Sequence, residues 1–101
     1  MGHIPMRTSI DIQKIQKDWT ARGFSFAVWN DPEGQRWENY VHDTDELFVV
    51  VSGTVELEMN GKKWCPASGQ EVLIPARVTH SVRNVGKSPS QWLYGYRTRS
   101  E

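Results

Sequence analysis

Residues 40–84 read YVHDTDELFVVVSGTVELEMNGKKWCPASGQEVLIPARVTHSVRN, and this stretch decides the fold. Short apolar runs alternate with turn residues, a pattern that is typical of all-β sandwiches and barrels. Asn60-Gly61 is the strongest hairpin signal, because both residues tolerate the positive φ of a type I′ turn. Extended outward along the chain, the pattern predicts a jelly roll with strands at 24–29, 35–42, 46–52, 54–59, 62–65, 71–74, 80–84 and 91–98.

The residues before Gly23 follow a different period. Ile12, Ile15 and Trp19 recur at spacings of three and four, which indicates a short amphipathic helix. Ser9 is the candidate N-cap of this helix, and Gly23 is a residue that can end it. We therefore divide the chain into an N-terminal segment with a short helix, residues 1–22, and a barrel, residues 23–101.

One predicted strand is apolar on both of its faces. Leu47–Val51 contains no polar residue, whereas only one face of a barrel strand points to the interior. Some other surface must cover the second face. A partner subunit is the first candidate, which predicts a homodimer, and the N-terminal helix is the alternative.

Composition limits the classes of partner. The 101 residues suffice for one domain, and twelve Lys and Arg balance twelve Asp and Glu. Because the chain has no net positive charge, neither nucleic acid nor a membrane surface is an expected partner. The apolar run Leu47–Val51 is far shorter than the roughly 20 residues of a transmembrane helix. We expect a cytoplasmic protein without an internal disulfide, since Cys65 is the only cysteine.

Two segments have the residue types and spacing of a metal site. The first reads His42, three residues, Glu46, six residues, Gly53; the second reads Gly69, five residues, Pro75, four residues, His80, three residues, Asn84. Neutral imidazole and carboxylate are ligands for divalent first-row metals, and two His with one carboxylate leave coordination positions open.

These two segments resemble the motifs of the cupin superfamily. Its first motif is Gly, five residues, His-x-His, three or four residues, Glu, six residues, Gly; its second is Gly, five residues, Pro-x-Gly, two residues, His, three residues, Asn. The similarity covers residues 40–84 and implies a small single-domain cupin, a jelly-roll β-barrel with a metal inside. Carried over by position, His42 matches the second His, Glu46 the Glu, and His80 the His of the second motif.

The chain departs from these motifs at two positions of interest. Tyr40 stands in the place of the first His, and Arg77 replaces the Gly of the second motif. The resemblance implies one divalent transition metal, Fe, Mn, Ni, Zn or Cu, held by His42, Glu46 and His80. We predict that Tyr40 mainly provides a hydroxyl group to the pocket, and we rank it second as a further metal ligand.

Alternation along the strands predicts the lining of a pocket. Side chains two positions apart share a face, so the face of His42 includes Arg36, Glu38 and Tyr40. On the last strand, Trp92, Tyr94 and Tyr96 share a face and indicate an aromatic wall, with plain core packing as the alternative. The predicted pocket residues are Arg36, Glu38, Tyr40, Trp92 and Tyr94; the candidate catalytic residues are Tyr40, Glu46 and Arg77. Arg77 is expected to pair with a substrate carboxylate.

Three functions follow from this interpretation. The first is a metal-binding cupin that acts on a small organic molecule inside the barrel, as an oxygenase, isomerase or decarboxylase. The second is a non-catalytic cupin that binds or senses a small sugar-like or aromatic ligand. The third is a structural cupin without metal.

Overall fold

The computed structural model describes residues 10–98, and in that range the chain forms one helix and eight strands. The elements are α1 (Ile12–Ala21), β1 (Ala27–Asp31), β2 (Arg36–Tyr40), β3 (Glu46–Ser52), β4 (Val55–Met59), β5 (Lys62–Trp64), β6 (Val72–Ile74), β7 (His80–Asn84) and β8 (Ser90–Tyr96). Among these residues no helix is both long and apolar enough to cross a membrane.

The strands form two four-stranded antiparallel sheets. One sheet has the order β1-β8-β3-β6 and the other the order β2-β7-β4-β5. Strands distant in sequence therefore lie side by side, as in a jelly roll, and the predicted all-β fold is confirmed. The two-residue turn at Asn60-Gly61 joins β4 to β5 with φ of 54° and 76°, as its sequence predicts.

The main core lies between the two sheets. Its buried members are Phe48, Val50, Val55, Leu57, Val72, Ile74, Val82 and Trp92. On β3 the residues Phe48 and Val50 point into this core, and Glu46 shares their face because side chains alternate along a strand. The first residue of β3 therefore places a carboxylate at the end of an apolar interior.

The outer face of β3 is covered by the N-terminal helix. Leu47 and Val49 pack with Trp19 of α1, and with Phe24 and Leu93, in a second buried cluster. The structure thus favours the helix over a partner subunit as the cover of this face, which corrects our first expectation. The homodimer itself stays a prediction.

The ends of α1 are fixed by polar contacts. The Asp11 side chain caps the helix by accepting a hydrogen bond of 3.1 Å from the Lys14 backbone N–H. The predicted cap Ser9 lies outside the described residues. At the other end Gly23 has a φ of 86°, which suits the residue that turns the chain out of the helix.

Candidate metal centre and cavity

Three side chains from separate parts of the barrel converge at one end of the interior. Glu46 begins β3, His80 begins β7, and His42 lies in the loop between β2 and β3. Glu46 Oε1 is 2.7 Å from His42 Nε2 and 3.5 Å from His80 Nε2. One donor atom from each residue lies within 4.8 Å of the others. The structure therefore brings together the three residues that the motif spacing singles out.

Backbone carbonyls orient both imidazoles. His42 Nδ1 lies 2.9 Å from the Thr44 carbonyl oxygen, and His80 Nδ1 lies 3.0 Å from that of Val78. A carbonyl only accepts, so each Nδ1 carries the hydrogen and each Nε2 faces Glu46. A metal-ligating His almost always donates its other N–H in this way. This donor set fits a divalent transition metal.

The short contact between His42 and Glu46 also fits a cation position. At 2.7 Å a proton must bridge Nε2 and Oε1, because both atoms would otherwise present lone pairs to each other. A metal ion held by these two residues would displace that proton. Occupancy by a metal and occupancy by a proton are therefore alternatives at this point.

Burial sets the charge states of the cluster. Desolvation raises the pKa of Glu46, and the hydrogen bond from His42 partly offsets this. Desolvation lowers the pKa of His80, against the hydrogen bond to Val78, and so favours the neutral imidazole that a metal ligand requires. Burial, together with the charge of Glu46, raises the pKa of the neighbouring Tyr96 to about 12, and its phenol stays protonated.

The three residues form one end of a cavity of about 210 Å³. Its lining is largely aromatic: Trp29, Trp37, Tyr40, His42, Glu46, His80, Val82, Trp92, Tyr94 and Tyr96. Three predicted pocket residues, Tyr40, Trp92 and Tyr94, are therefore at the cavity. Tyr40 lies opposite His80 in the β2–β7 ladder and is 49% exposed, which places its ring at the mouth.

Arg36 and Glu38 lie elsewhere, because the alternation on β2 is interrupted. Asn39 has a φ of 57°, and the ladder to β7 shifts register between Trp37 and Tyr40. Such a bulge changes which side chains share a face, so Trp37 and Tyr40 both reach the cavity. The prediction that Arg36 and Glu38 line the pocket with Tyr40 is therefore not met.

Both residues join an ion-pair cluster outside the cavity. Arg83 Nη2 lies 2.9 Å from Glu38 Oε1, and Arg36 Nε lies 2.9 Å from Glu38 Oε2. Arg83 also pairs with Glu56 and Glu58. The hydrogen bonds from Arg83 and Arg36 lower the pKa of Glu38 to about 2. Glu38 therefore pairs with Arg36 and Arg83, and neither Glu38 nor Arg36 lines the cavity.

Arg77 also lies away from the cavity, in a second depression lined by Asp43, Thr44, Asp45, Ala76, Arg77, Arg97 and Thr98. Its backbone has a φ of 66°, which explains why the resembled motif has glycine at this place. Its backbone N–H donates to the His42 carbonyl oxygen at 2.7 Å. Arg77 therefore supports the His42 loop through its main chain, and the expected pairing with a substrate carboxylate in the cavity is not met.

Sequence reasoning missed Asp31, which ends β1 and is 2% exposed. Its carboxylate accepts hydrogen bonds from the indole N–H groups of Trp29 at 2.7 Å, Trp37 at 3.0 Å and Trp92 at 3.1 Å. All three rings line the cavity. The only signal in the sequence was the high number of tryptophans, because Asn30-Asp31-Pro32 has the composition of an ordinary turn.

Comparison with known families agrees with the fold and the motifs. The Cupin_2 family model, described as "Cupin domain", matches residues 27–96. The chain therefore belongs to the cupin family, which confirms the resemblance carried by residues 40–84.

Individual relatives differ in their named functions. Polyketide synthase CurC from Streptomyces cyaneus is 31% identical over 62 residues, which are 60% of this chain and 40% of CurC. The matched part thus covers less than half the length of that relative.

Solved structures support the fold alone. A predicted oxalate decarboxylase from Thermotoga maritima matches with a TM-score of 0.68 and 20% identity, over 82% of this chain and 74% of that one. A conserved protein of unknown function from Streptococcus pyogenes matches with a TM-score of 0.67 and 20% identity, over 78% of this chain and 68% of that one.

Proposed function

We propose that this chain is a metal-dependent cupin that binds one divalent transition metal and acts on a small organic molecule in the aromatic cavity. The observation that carries the proposal is the convergence of His42, Glu46 and His80, with both Nε2 atoms turned toward one carboxylate oxygen. A bound metal would supply Lewis-acid chemistry and open coordination positions to a substrate oxygen.

The chain's own residues have two roles in this proposal. The backbone carbonyls of Thr44 and Val78 hold the imidazoles in the ligating orientation. The aromatic rings of the cavity exclude water around the substrate, which strengthens electrostatic contacts at the metal end. The named functions of the relatives denote different reactions, so the proposal does not extend to one reaction type.

Metal analysis tests the proposal directly. Protein purified without a chelator or a nickel column is expected to carry, or to take up, one equivalent of Fe, Mn, Ni, Zn or Cu. The His80→Asn variant is expected to lose this metal, because one of three ligands is removed. Asp43→Asn is the matched control, since Asp43 is an exposed acidic residue beside His42 and is not one of the three ligands. Wild-type protein that takes up none of these metals would refute the proposal.

A non-catalytic ligand-binding cupin is the second candidate, and the position of Tyr40 favours it. Tyr40 places a large ring at the cavity mouth where the resembled motif has a fourth ligand. A binding module predicts ligand-dependent shifts in melting temperature without turnover. An enzyme predicts that metal-loaded protein consumes the ligand that shifts its melting temperature.

A further inference from the structure

Behind the tryptophan wall, at the end of the cavity away from the histidines, lies a carboxylate that has no basic partner among the described residues. Within the part of the chain that the structure describes, the Asp31 carboxylate accepts hydrogen bonds only from indole N–H groups, which donate without bringing positive charge. Among residues 10–98 no Lys, Arg or His forms an ion pair with Asp31. No described Lys or Arg lines the cavity either. The three hydrogen bonds therefore satisfy the carboxylate but leave its charge uncompensated.

The rings around this charge are arranged as walls. Trp29 and Trp37 meet at 72° with centroids 6.0 Å apart, and Trp37 and Tyr40 meet at 75° at the same separation. Trp92 and Tyr94 meet at 52°. These rings pack edge to face or tilted against one another, and all of them also line the cavity. Aromatic enclosures of this kind bind cations through the negative potential of the ring faces.

Asp31 strengthens that potential. An N–H group that donates to a carboxylate is polarised, and electron density moves toward the indole ring. Three of the rings at the cavity are tied to the same carboxylate in this way. The tryptophan end of the cavity is therefore electrostatically suited to a positive group.

The hydrogen-bonding state of Asp31 favours one class of cation. A primary ammonium has three N–H donors that need acceptors when buried, and both oxygens of Asp31 already accept from indoles. A quaternary ammonium or sulfonium group has no donor to satisfy. An onium group can therefore enter the aromatic end without leaving an unpaired polar hydrogen.

From these observations we infer that the tryptophan end of the cavity binds the onium group of a small molecule, whose anionic end reaches the histidines. The inference about the anionic end rests on the proposed metal function, whereas the onium site does not. Asp31 acts as a positioning residue, because it holds the three indoles and does not itself touch the ligand.

The dimensions of the cavity limit the size of this molecule. The lining residues Trp92 and Tyr96 lie about 13 Å apart along β8, and their side chains share this length with the ligand. At about 210 Å³ the cavity is smaller than the roughly 300–1,000 Å³ of drug-sized ligand sites, so the ligand is small. A trimethylammonium group joined by a short arm to a carboxylate is of this size.

Choline and its neutral isostere 3,3-dimethylbutan-1-ol test the onium site in metal-free protein. The two probes have the same shape and differ in charge. In ¹H–¹⁵N NMR titrations, choline is expected to shift the indole N–H signals of Trp29, Trp37 and Trp92 and to bind at least tenfold more tightly than the alcohol. The indole signals of Trp19 and Trp64, outside the cavity, serve as internal controls. Equal affinities, or no shift with choline, would overturn the inference.

Variants show whether the preference for choline depends on the Asp31 site or is lost because the protein unfolds. Asp31→Asn is expected to reduce the preference for choline at least fivefold, while the Trp19 signal shows whether the fold is kept. Should Asp31→Asn unfold, Trp29→Leu decides, because Trp29 is 40% exposed and its loss leaves the core intact. This variant is expected to bring the two affinities within about threefold of each other. Asp43→Asn removes an acidic side chain outside the cavity and is expected to change nothing. A full preference for choline in Trp29→Leu would refute the site.

Trimethylglycine and 3,3-dimethylbutanoate, another pair of isosteres, test the two-ended arrangement. Loading the protein with Zn²⁺ is expected to raise the affinity for trimethylglycine at least tenfold and to leave that for choline unchanged. If Zn²⁺ binds without this effect, the placement of the anionic end is wrong. If Zn²⁺ does not bind at all, the proposed metal function fails, and the choline titration still decides the onium site.

Discussion

One buried carboxylate lines the cavity and a second lies behind its tryptophan wall, and their partners differ in kind. Glu46, 5% exposed, contacts two imidazoles, whereas Asp31, 2% exposed, contacts three indoles. Imidazole nitrogens can hold a proton, release it or coordinate a metal. Indole nitrogens only donate a hydrogen bond. The carboxylate at the imidazole end can therefore exchange a proton for a metal, and the carboxylate at the indole end cannot.

The difference shows that burial alone does not identify a reactive group. Both carboxylates lie at the edge of the same apolar core, and both are held at hydrogen-bond distance. What separates them is whether the partners can change their own protonation. Glu46 can therefore take part in binding a metal or a proton, whereas Asp31 fixes the shape and charge of the aromatic end of the cavity.

The largest expected effect is on metal affinity. Replacing Glu46 by Gln removes the charged ligand, and affinity for Zn²⁺ is expected to fall at least about 100-fold, since even losing an outer partner of a ligand costs 10- to 100-fold. Competition with a chromophoric chelator measures this. Asp31→Asn is the matched control and is expected to bind Zn²⁺ within about threefold of wild type. Equal losses in the two variants would show that the two ends are not independent.

The next effect is on stability and concerns Asp31. In Asp31→Asn an amide NH₂ faces indole donors, so at least one buried donor loses its acceptor. The free energy of unfolding of the metal-free protein is expected to fall by about 2–3 kcal/mol. Urea denaturation measures it. Glu46→Gln is expected to cost less than about 1 kcal/mol in the same assay, because desolvation already disfavours the Glu46 carboxylate. The reverse order of costs would contradict the comparison.

Glu71 offers a smaller, exposed version of the indole-bound carboxylate. It accepts from the Trp19 indole at 3.2 Å and pairs with Arg22, which ties α1 to the barrel. Glu71→Gln is expected to cost no more than about 1 kcal/mol at pH 7, because both partners are exposed and solvent screens the pair.

That cost is expected to depend on pH. The hydrogen bond from Arg22 lowers the pKa of Glu71 below its ordinary value of 4.5. A lowered folded-state pKa contributes stability above the unfolded value and loses it as the pH falls through the folded one. The difference in unfolding free energy between wild type and Glu71→Gln should therefore shrink below about pH 4.5. A difference that grows in acid would contradict this sign.

Much of the fold was predictable because it depends on local signals. The strands at 46–52 and 80–84 have the predicted bounds, since each is a run of strand-forming residues next to a turn. The first strand was predicted at 24–29 and is observed at Ala27–Asp31. Asp31 belongs to the strand because it pairs with Ser90 of β8, and indoles from three strands satisfy its carboxylate. No local pattern contains that information.

The candidate site divides in the same way. His42, Glu46 and His80 were found because their spacing follows a family motif. The faces of β2 were misassigned because Asn39 gives no sign in the sequence that it will adopt a positive φ, although asparagine tolerates this conformation better than most residues. Because of this one bulge, the cavity wall contains Trp37 beside Tyr40, and it does not contain Arg36 or Glu38. The cavity is therefore aromatic, as the last strand indicates, but Arg36 and Glu38 do not supply the charged contacts that alternation on β2 predicts.

The smallest expected effect concerns Tyr40, which the same bulge places at the mouth. A phenol has an ordinary pKa near 10, so it coordinates only if the metal deprotonates it. Tyr40 is also 49% exposed, unlike the buried Glu46 and His80. Tyr40→Phe is therefore expected to change affinity for Zn²⁺ by less than about twofold. Chelator competition measures this against Glu46→Gln, and a loss of tenfold or more would make Tyr40 a fourth ligand and extend the metal end of the cavity to its mouth.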